Sequence, residues 1–404
     1  MTTAPAKYPG TPGEVLIAFT KLGVTSFGGP VAHIGYFRQA FVTRLRWVDE
    51  PAFADLVALS QFLPGPASSQ VVFSIGLIRG GWLGGFAASA GFTLPSAALM
   101  LLFAYAAGSL GGPVGLGLLH GLKLVAVAIV AQAVLGMASS LCPDRTRAGI
   151  ALLALAVVTA LGGAACQLVA ILLGGCAGAL FCKEGAKATT GEVPAVPVSR
   201  AAGLLLLIAF AVLLVLPPIL LSGPVQSQSL ALFEAFYRSG ALVFGGGHVV
   251  LPLLREAVVT PGWVTADTFL AGYGAAQAVP GPLFTFAAYL GAVTGPAPNG
   301  LLGAVIALVA IFLPAMLLVA GALPFWDAFR RRPDAQAAMR GTNAAVVGIL
   351  AAALYNPVWT SAVVTPMDFA IVAIGFTLLT VWRLSALWVV TAMTAGTMAL
   401  HLLP

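Results

Sequence analysis

Apolar stretches of roughly 20 residues follow one another along this chain, the length that spans about 30 Å of hydrocarbon at 1.5 Å per residue. Charge is nearly absent from them. Asp, Glu, Lys and Arg make up 8% of the 404 residues and hydrophobic residues 60%, whereas a soluble domain carries about 25% charged residues. The 19 basic and 13 acidic side chains cannot solvate the outside of a protein this size, so most of that outside must face lipid. The sequence therefore predicts an all-α integral membrane protein.

Six apolar runs precede residue 183, at about 14–34, 53–79, 82–108, 116–140, 147–162 and 164–182. Seven follow, at about 201–221, 230–252, 267–293, 299–323, 339–356, 367–381 and 384–403, which gives about thirteen expected crossings. Between the two groups KEGAKATTGEVPAVPVSR (183–200) is the one long polar stretch, a linker between a domain at 1–182 and another at 201–404. The opening MTTAPAKYPGTPGE lacks the basic and then apolar pattern of a cleaved signal, so the first run is expected to be retained. The net charge of +6 does not indicate nucleic acid, because the basic residues sit mostly in short loops, where they orient a membrane chain. Cys142, Cys166, Cys176 and Cys182 show no Cys-x-x-Cys spacing and read as small hydrophobes. No metal or other cofactor is expected.

The chain also repeats itself. FTKLGVTSFGGPV (19–31) matches FYRSGALVFGGGH (236–248), so that Lys21, Gly23, Phe27, Gly28 and Gly29 fall on Arg238, Gly240, Phe244, Gly245 and Gly246. Further on, Trp47, Phe53, Gln61 and Pro64-Gly65-Pro66 fall on Trp263, Phe269, Gln277 and Pro280-Gly281-Pro282. Pro95 then matches Pro314, and Gly121 matches Gly341. Chance similarity between apolar helices would not keep such unusual units in step over so long a stretch.

The run 201–221 has no counterpart. One unmatched span between two six-span repeats makes the second half enter the membrane from the opposite side, the inverted-repeat architecture of many secondary transporters. With a cytoplasmic N-terminus, the inner loops hold Lys7, Arg79, Arg145, Arg147, Lys183, Lys187, Arg200, Arg255, Arg330, Arg331, Arg332, Arg340 and Arg383. The outer loops hold Arg38, Arg44 and Arg46. This bias predicts an external C-terminus. The exception, GYFRQAFVTRLRW (35–47), is either an amphipathic interfacial helix or an inner loop followed by a re-entrant segment.

Three basic residues fall inside apolar runs: Lys21, Lys123 and Arg238. A cation in mid-membrane costs at least about 2.5–3.5 kcal/mol and usually faces a cavity. Lys21 and Arg238 occupy matched positions, so they either flank one anion site or snorkel to an interface; Glu234, four residues before Arg238, is a candidate partner. The glycines of Ser26-Phe27-Gly28-Gly29-Pro30 and Phe244-Gly245-Gly246-Gly247 either pack helices closely or break them. Pro30 lacks an N–H and would leave the Ser26 carbonyl unpaired. His248 could bond an anion or a proton, or be a packed neutral side chain.

No straight helix survives Pro-Gly-Pro, so QFLPGPASSQ (61–70) and QAVPGPLFTF (277–286) each predict two half-helices. The N–H groups of 67–69 and 283–285 would then face the centre, where a helix N-terminus suits an oxyanion. Gln61, Ser68, Ser69, Gln277 and Thr285 could add donors. A kink without a ligand is the alternative. Asp55, a lone acid, reads as interfacial. There is no nucleophile–base pairing and no phosphate-binding Gly-x-x-x-x-Gly-Lys, so no enzyme is expected.

LGVTSFGGPVAHIGYFRQAFV, VALSQFLPGPASSQVVFSIGLIRGG and GFTLPSAALM closely resemble the chromate ion transporter family, as do VFGGGHVVLPLLREAVV and GWVTADTFLAGYGAAQAVPGPLFTFAAYLGAV. The likeness runs from about 14 to 356 and is to the long-chain members, which fuse two halves of opposite orientation. It implies export of chromate across the bacterial cytoplasmic membrane, with sulfate as the physiological look-alike and the proton-motive force as driver. Rival readings are a sulfate carrier or exchanger and an anion channel. A homodimer is one option for the assembly.

Overall fold

The computed structural model describes residues 10–27, 29–107, 112–161, 164–183, 198–223, 227–244, 247–326 and 332–402. Every regular element in them is helical. The first half begins with α1 (Pro12–Thr25), α2 (Gly29–Phe37, prolonged by a π turn to Arg44) and α3 (Glu50–Phe62). The stretch Ala67–Ala107 is two helices, α4 (67–79) and α5 (82–107), because Gly80 and Gly81 (φ 64°) leave helical geometry. Next come α6 (Gly112–Leu141), α7 (Arg145–Leu161) and α8 (Ala164–Phe181), then the unmatched α9 (Arg200–Leu221). The second half has α10 (Gln228–Ala241), α11 (Val250–Val258), α12 (Ala266–Ala278), α13 (Phe286–Val293) and α14 (Gly300–Ala322). It closes with α15 (Pro333–Ala353), α16 (Pro366–Thr380) and α17 (Ala386–Leu402). Side-chain caps start several of these helices: Thr11, Asp49, Ser199, Ser227, Thr265 and Thr365 each accept a backbone N–H of the first turn.

Four ranges expected as single broken crossings turn back on themselves instead. Phe19 of α1 lies 4.5 Å from Phe41, centroid to centroid, although a continuing helix would carry Phe41 roughly 33 Å away. In the second half the Tyr289 hydroxyl of α13 donates to the Thr268 carbonyl of α12 at 3.1 Å, and the Phe269 and Phe286 rings are 5.1 Å apart. The matched tryptophans close both later hairpins. Arg79, at the end of α4, lies 5.0 Å over the Trp47 ring just before α3, and Gly295 N–H donates to the Trp263 carbonyl just before α12. Helices α10 and α11 likewise pack together. The expectation of through-going helices at 14–34, 53–79, 230–252 and 267–293 is therefore corrected. Outgoing arms of 13 or 14 residues are about 20 Å long, and a tight non-helical turn ends each.

The turn-back places ends. Gly10 N–H donates to the Arg79 carbonyl, Arg79 pairs with Glu14 at 2.9 Å, and Trp47 joins them. This near end therefore holds the N-terminal arm and the loop carrying Arg44 and Arg46. From it α5 runs to the far end, where the Tyr105 hydroxyl approaches Gly300 at the start of α14.

Each half's last helix packs on the other half's central one: α17 on α6, and α8 on α15. Gly121 of α6 meets Thr394 and Thr397, while its repeat partner Gly341 of α15 meets Gly174 and Gly178. A Cβ at either position would strike the opposing helix, so the matched glycines permit the same close approach twice. On both seams residue numbers rise on one helix as they fall on the other, so the paired helices are antiparallel. Leu124–Val130 of α6 and 344–350 of α15 are buried almost without interruption, which makes these two helices the core. Helix α9 packs on α10 and α14, yet only 6% of its apolar window is buried. Among the described residues five helical stretches, the kinked Ala67–Ala107 counted as one, are long and apolar enough to cross a membrane.

Candidate functional site

The tips of the four hairpins meet in the middle of the molecule. Gly65 N–H, inside Pro64-Gly65-Pro66, donates to the Val243 carbonyl at 2.6 Å, and Gly281 N–H donates to the Ser26 carbonyl at 2.8 Å. Val243 and Ser26 are matched positions, so each Pro-Gly-Pro unit closes on the other half's first hairpin. The Ser26 carbonyl, left outside the helix because α1 ends at Thr25, thus finds its donor across the repeat boundary. Gly65 (φ 118°) and Gly281 (φ 95°) hold conformations that only glycine adopts cheaply. A Cβ on Gly281 would meet Ser96 Oγ and the Phe92 and Gly23 carbonyls; one on Gly65 would meet Gln70 Nε2 and Ala315.

Around these tips buried polar atoms lack partners. Among the described residues Ser26 Oγ, Ser60 Oγ, Ser69 Oγ and Gln70 Oε1 have none, while the His33 ring leans on the Ser26 backbone and Gln277 on the Tyr273 hydroxyl. Leaving such a group unsatisfied costs about 1–3 kcal/mol, so a native fold keeps several together only where something else completes them. Ser68 is buried beside them and Gln61 is exposed. Two expected donors are already engaged. Ser69 N–H and Thr285 N–H both turn to the carbonyls of Pro66 and Pro282, and the Thr285 hydroxyl bonds the Pro282 carbonyl at 2.9 Å. The tight first turn after each proline consumes them, so the helix-end donors are those of residues 67–68 and 283–284. Gly29 begins α2 with φ 77°; Gly28, Gly245 and Gly246 lie outside the described residues.

The charged and titratable groups divide unevenly. Lys21 is exposed on α1, and among the described residues it makes no ion pair. Its counterpart Arg238 pairs with Glu234 at 3.0 Å, the partner anticipated from the sequence. Lys123 is accounted for by Asp267, 2.9 Å away at the start of α12. His248 Nδ1 lies 2.7 Å from the Tyr273 hydroxyl, which also interacts with Gln277, forming a polar chain that reaches a Pro-Gly-Pro tip. Sequence reasoning missed His33, Gln70 and Tyr273, since the repeat puts Val250 opposite His33 and Val57 opposite Tyr273. Asp55, expected at an interface, is buried.

The chromate transporter family model matches residues 13–179 and 230–399. The chain belongs to this family. It is 30% identical over 405 residues to a chromate transport protein of Pseudomonas aeruginosa, covering 97% of this chain and 92% of that one. A chromate transport protein of Cupriavidus metallidurans is 25% identical over 347 residues, covering 84% and 81%, and a probable one of Synechococcus elongatus is 29% identical, covering 83% and 82%. No solved structure matches the chain. For a chromate transporter, the two matched segments coincide with the two halves whose tips interlock. Membership also fixes the class as transporter rather than enzyme. Uncapped N–H groups, hydroxyls and amides at two helix starts can replace water around a tetrahedral anion without covalent chemistry.

Proposed function

We propose that the chain exports chromate from the cytoplasm through a site at the four hairpin tips, between homologous domains at 1–182 and 201–404 joined by the linker 183–200. The observation that carries this reading is the cluster of unpartnered buried polar groups, three of them serine hydroxyls, around two Pro-Gly-Pro units that hydrogen-bond across the halves. A dianion entering low dielectric must exchange its hydration for such groups. Lys21 and Arg238 each lie about one turn from a tip and supply positive charge to the approach. The substrate-binding set is Lys21, Gln61, Pro64–Pro66, Ser68, Ser69, Arg238, His248, Gln277 and Pro280–Pro282; Thr285, whose N–H and hydroxyl both serve the Pro282 carbonyl, is left out.

The halves are inserted in opposite senses. Helix α8 opposes α15; α7 opposes α8 and α6 opposes α7 through short loops. The matched α6 and α15 therefore run against each other, which supports inversion. Loop charge favours a cytoplasmic near end. Arg44, Arg46, Arg79, Arg145, Arg147, Lys183, Arg200 and Arg383 gather there, while Arg255 and Lys123 lie toward the far end. With the hairpins turned back, the three arginines of 35–47 cease to be an exception. The C-terminus is then external.

The mechanism is alternating access: the hairpin pairs of the two halves take turns in closing against α6 and α15. His248, chained to Tyr273 and Gln277, is placed to exchange a proton as the anion leaves, coupling export to the proton-motive force. Inverted vesicles containing the protein should accumulate radiolabelled chromate, faster with an imposed proton gradient, with excess sulfate as competitor. Uptake no greater than in protein-free vesicles would overturn the proposal.

A further inference from the structure

Away from the tips, at the far end, a cleft of about 330 Å³ opens between α7 and α8 of one half and α11 and α15 of the other. That is roughly ten waters' worth of liquid volume, enough for a partly hydrated tetrahedral anion. Its polar lining is Arg255, Gln167, Thr159, Tyr355, Asn356 and Glu256. Two of these carry buried atoms with no partner among the described residues, Arg255 Nε and Gln167 Oε1. Gln167 is 7% exposed, and its amide, turned over, offers two N–H donors in place of the oxygen. A guanidinium N–H is not left idle inside a fold unless a ligand or water completes it.

The backbone is also bent to fit. After α15 the chain makes a π turn at Leu354–Trp359, and Asn356 leaves helical geometry (φ −124°, ψ 112°). The matched helix α6 continues as α-helix to Leu141. Single π turns inside helices occur often at functional sites. The repeat sharpens the point, because RQAFVT (38–43) matches REAVVT (255–260) and sets Arg38 opposite Arg255. Arg38 is spent on an exposed ion pair with Glu50 at 2.6 Å. Arg255 has no such pair among the described residues and faces the cleft. Glu256 leans to the Thr260 hydroxyl at 3.0 Å, and its charge keeps the cleft from holding an anion tightly, as a site on a release path requires.

The geometry points to a second tetrahedral-oxyanion site in this cleft, a station about two turns along α11 from the His248 tip, where the anion pauses before release at the far end. The inference rests on the oxyanion reading of the tips, and the two can fail separately. Equilibrium binding of radiolabelled sulfate to the purified full chain in detergent should show two sites, one weaker. Arg255→Gln should remove the weaker site, leave the other's Kd within about twofold, and cut vesicle transport about tenfold in maximal rate with little change in KM. Arg255→Lys, which keeps the charge, should retain both sites, and equal melting temperatures would separate lost binding from lost folding. Two sites that persist in Arg255→Gln, or a single wild-type site that this variant leaves intact, would overturn the cleft and spare the tips. A wild-type chain that binds no sulfate and no chromate would overturn both.

Discussion

The hairpins α3–α4 and α12–α13 carry the same Pro-Gly-Pro unit and the same closing tryptophan, yet they sit differently. Helix α12 lies along α6, with Gly274 against Leu122, and 269–276 are buried without interruption. Among the described residues α3 makes at most marginal contact with α15, the matched surface, and Glu50, Pro51, Ala54 and Gln61 are exposed. On the proposed inverted-repeat reading, two copies of one device in two positions correspond to one face closed and the other open. If the halves alternate as proposed, α3–α4 is the element still to close, and the repeat says where. Gly274 and Leu122 correspond to Ala58 and Thr342, so those two should touch in the opposite state.

The largest effect should come from fixing that contact. In a chain freed of its four native cysteines, Ala58→Cys with Thr342→Cys should cross-link under oxidation and stop chromate transport, at least about fiftyfold, with recovery on reduction. Efficient cross-linking that leaves transport unchanged would sink the swinging-hairpin reading, as would failure to cross-link during active transport. Next in size, Gly281→Val should abolish transport, and Gly65→Val should reduce it about tenfold. Both force a side chain into positive φ at about 1–3 kcal/mol, but Gly281 abuts two backbone carbonyls besides Ser96, whereas Gly65 abuts the Gln70 side chain and Ala315. Equal losses in vesicle uptake would show that the tips are no more sensitive on one side than on the other.

How far such a difference can be read in advance depends on the kind of signal. Repeat units, the unmatched helix and the Gly121–Gly341 equivalence follow from residue types at fixed spacing, and the structure gives each a contact. The turn-back of the four hairpins does not follow that way. An apolar run of about 27 residues interrupted by Pro-Gly-Pro reads the same whether the second arm continues or returns, since hydropathy has no direction. The deciding contacts, Arg79 on Trp47 and Gly295 on Trp263, are tertiary. One local hint existed: Arg38, Arg44 and Arg46 broke the charge rule for through-going spans, and a re-entrant segment was the reading that would remove the exception. His33, Tyr273 and Gln70 stayed hidden because a search for matched pairs passes over residues present in one half alone.

A smaller effect should separate the matched cations. Lys21→Gln should lower transport about tenfold and leave the melting temperature where it was, since Lys21 holds no ion pair among the described residues. Arg238→Gln strands Glu234, whose side chain is 11% exposed, and should cost about 1–2 kcal/mol, less than the 3–5 of a fully buried pair because Arg238 is itself 40% exposed. Adding Glu234→Gln should restore the melting temperature but not the transport. If the double variant melts as low as the single one, the Arg238–Glu234 pair is not what stabilises α10.

The smallest contrast concerns how the two halves cap matched helices, α7 and α16. Asp144 accepts Arg147 N–H at 2.9 Å and its side chain at 2.6 Å. Those bonds hold its carboxyl below the usual range. A depressed carboxylate contributes stability above its ordinary pKa and loses it as pH falls through the lowered value, so any loss belongs to acid conditions. The pair is half-exposed, and asparagine caps nearly as well as aspartate, so Asp144→Asn should shift stability by less than about 0.5 kcal/mol. Asp368 does more. It is buried, accepts Val364 and Thr365 N–H groups, and meets His120 of the other half at 2.7 Å. Asp368→Asn should cost about 2 kcal/mol, the range for hydrogen bonds to a charged group, read as a lower melting temperature at neutral pH. Equal melting temperatures for the two variants would mean that the contact between halves at the far end adds nothing to the cap.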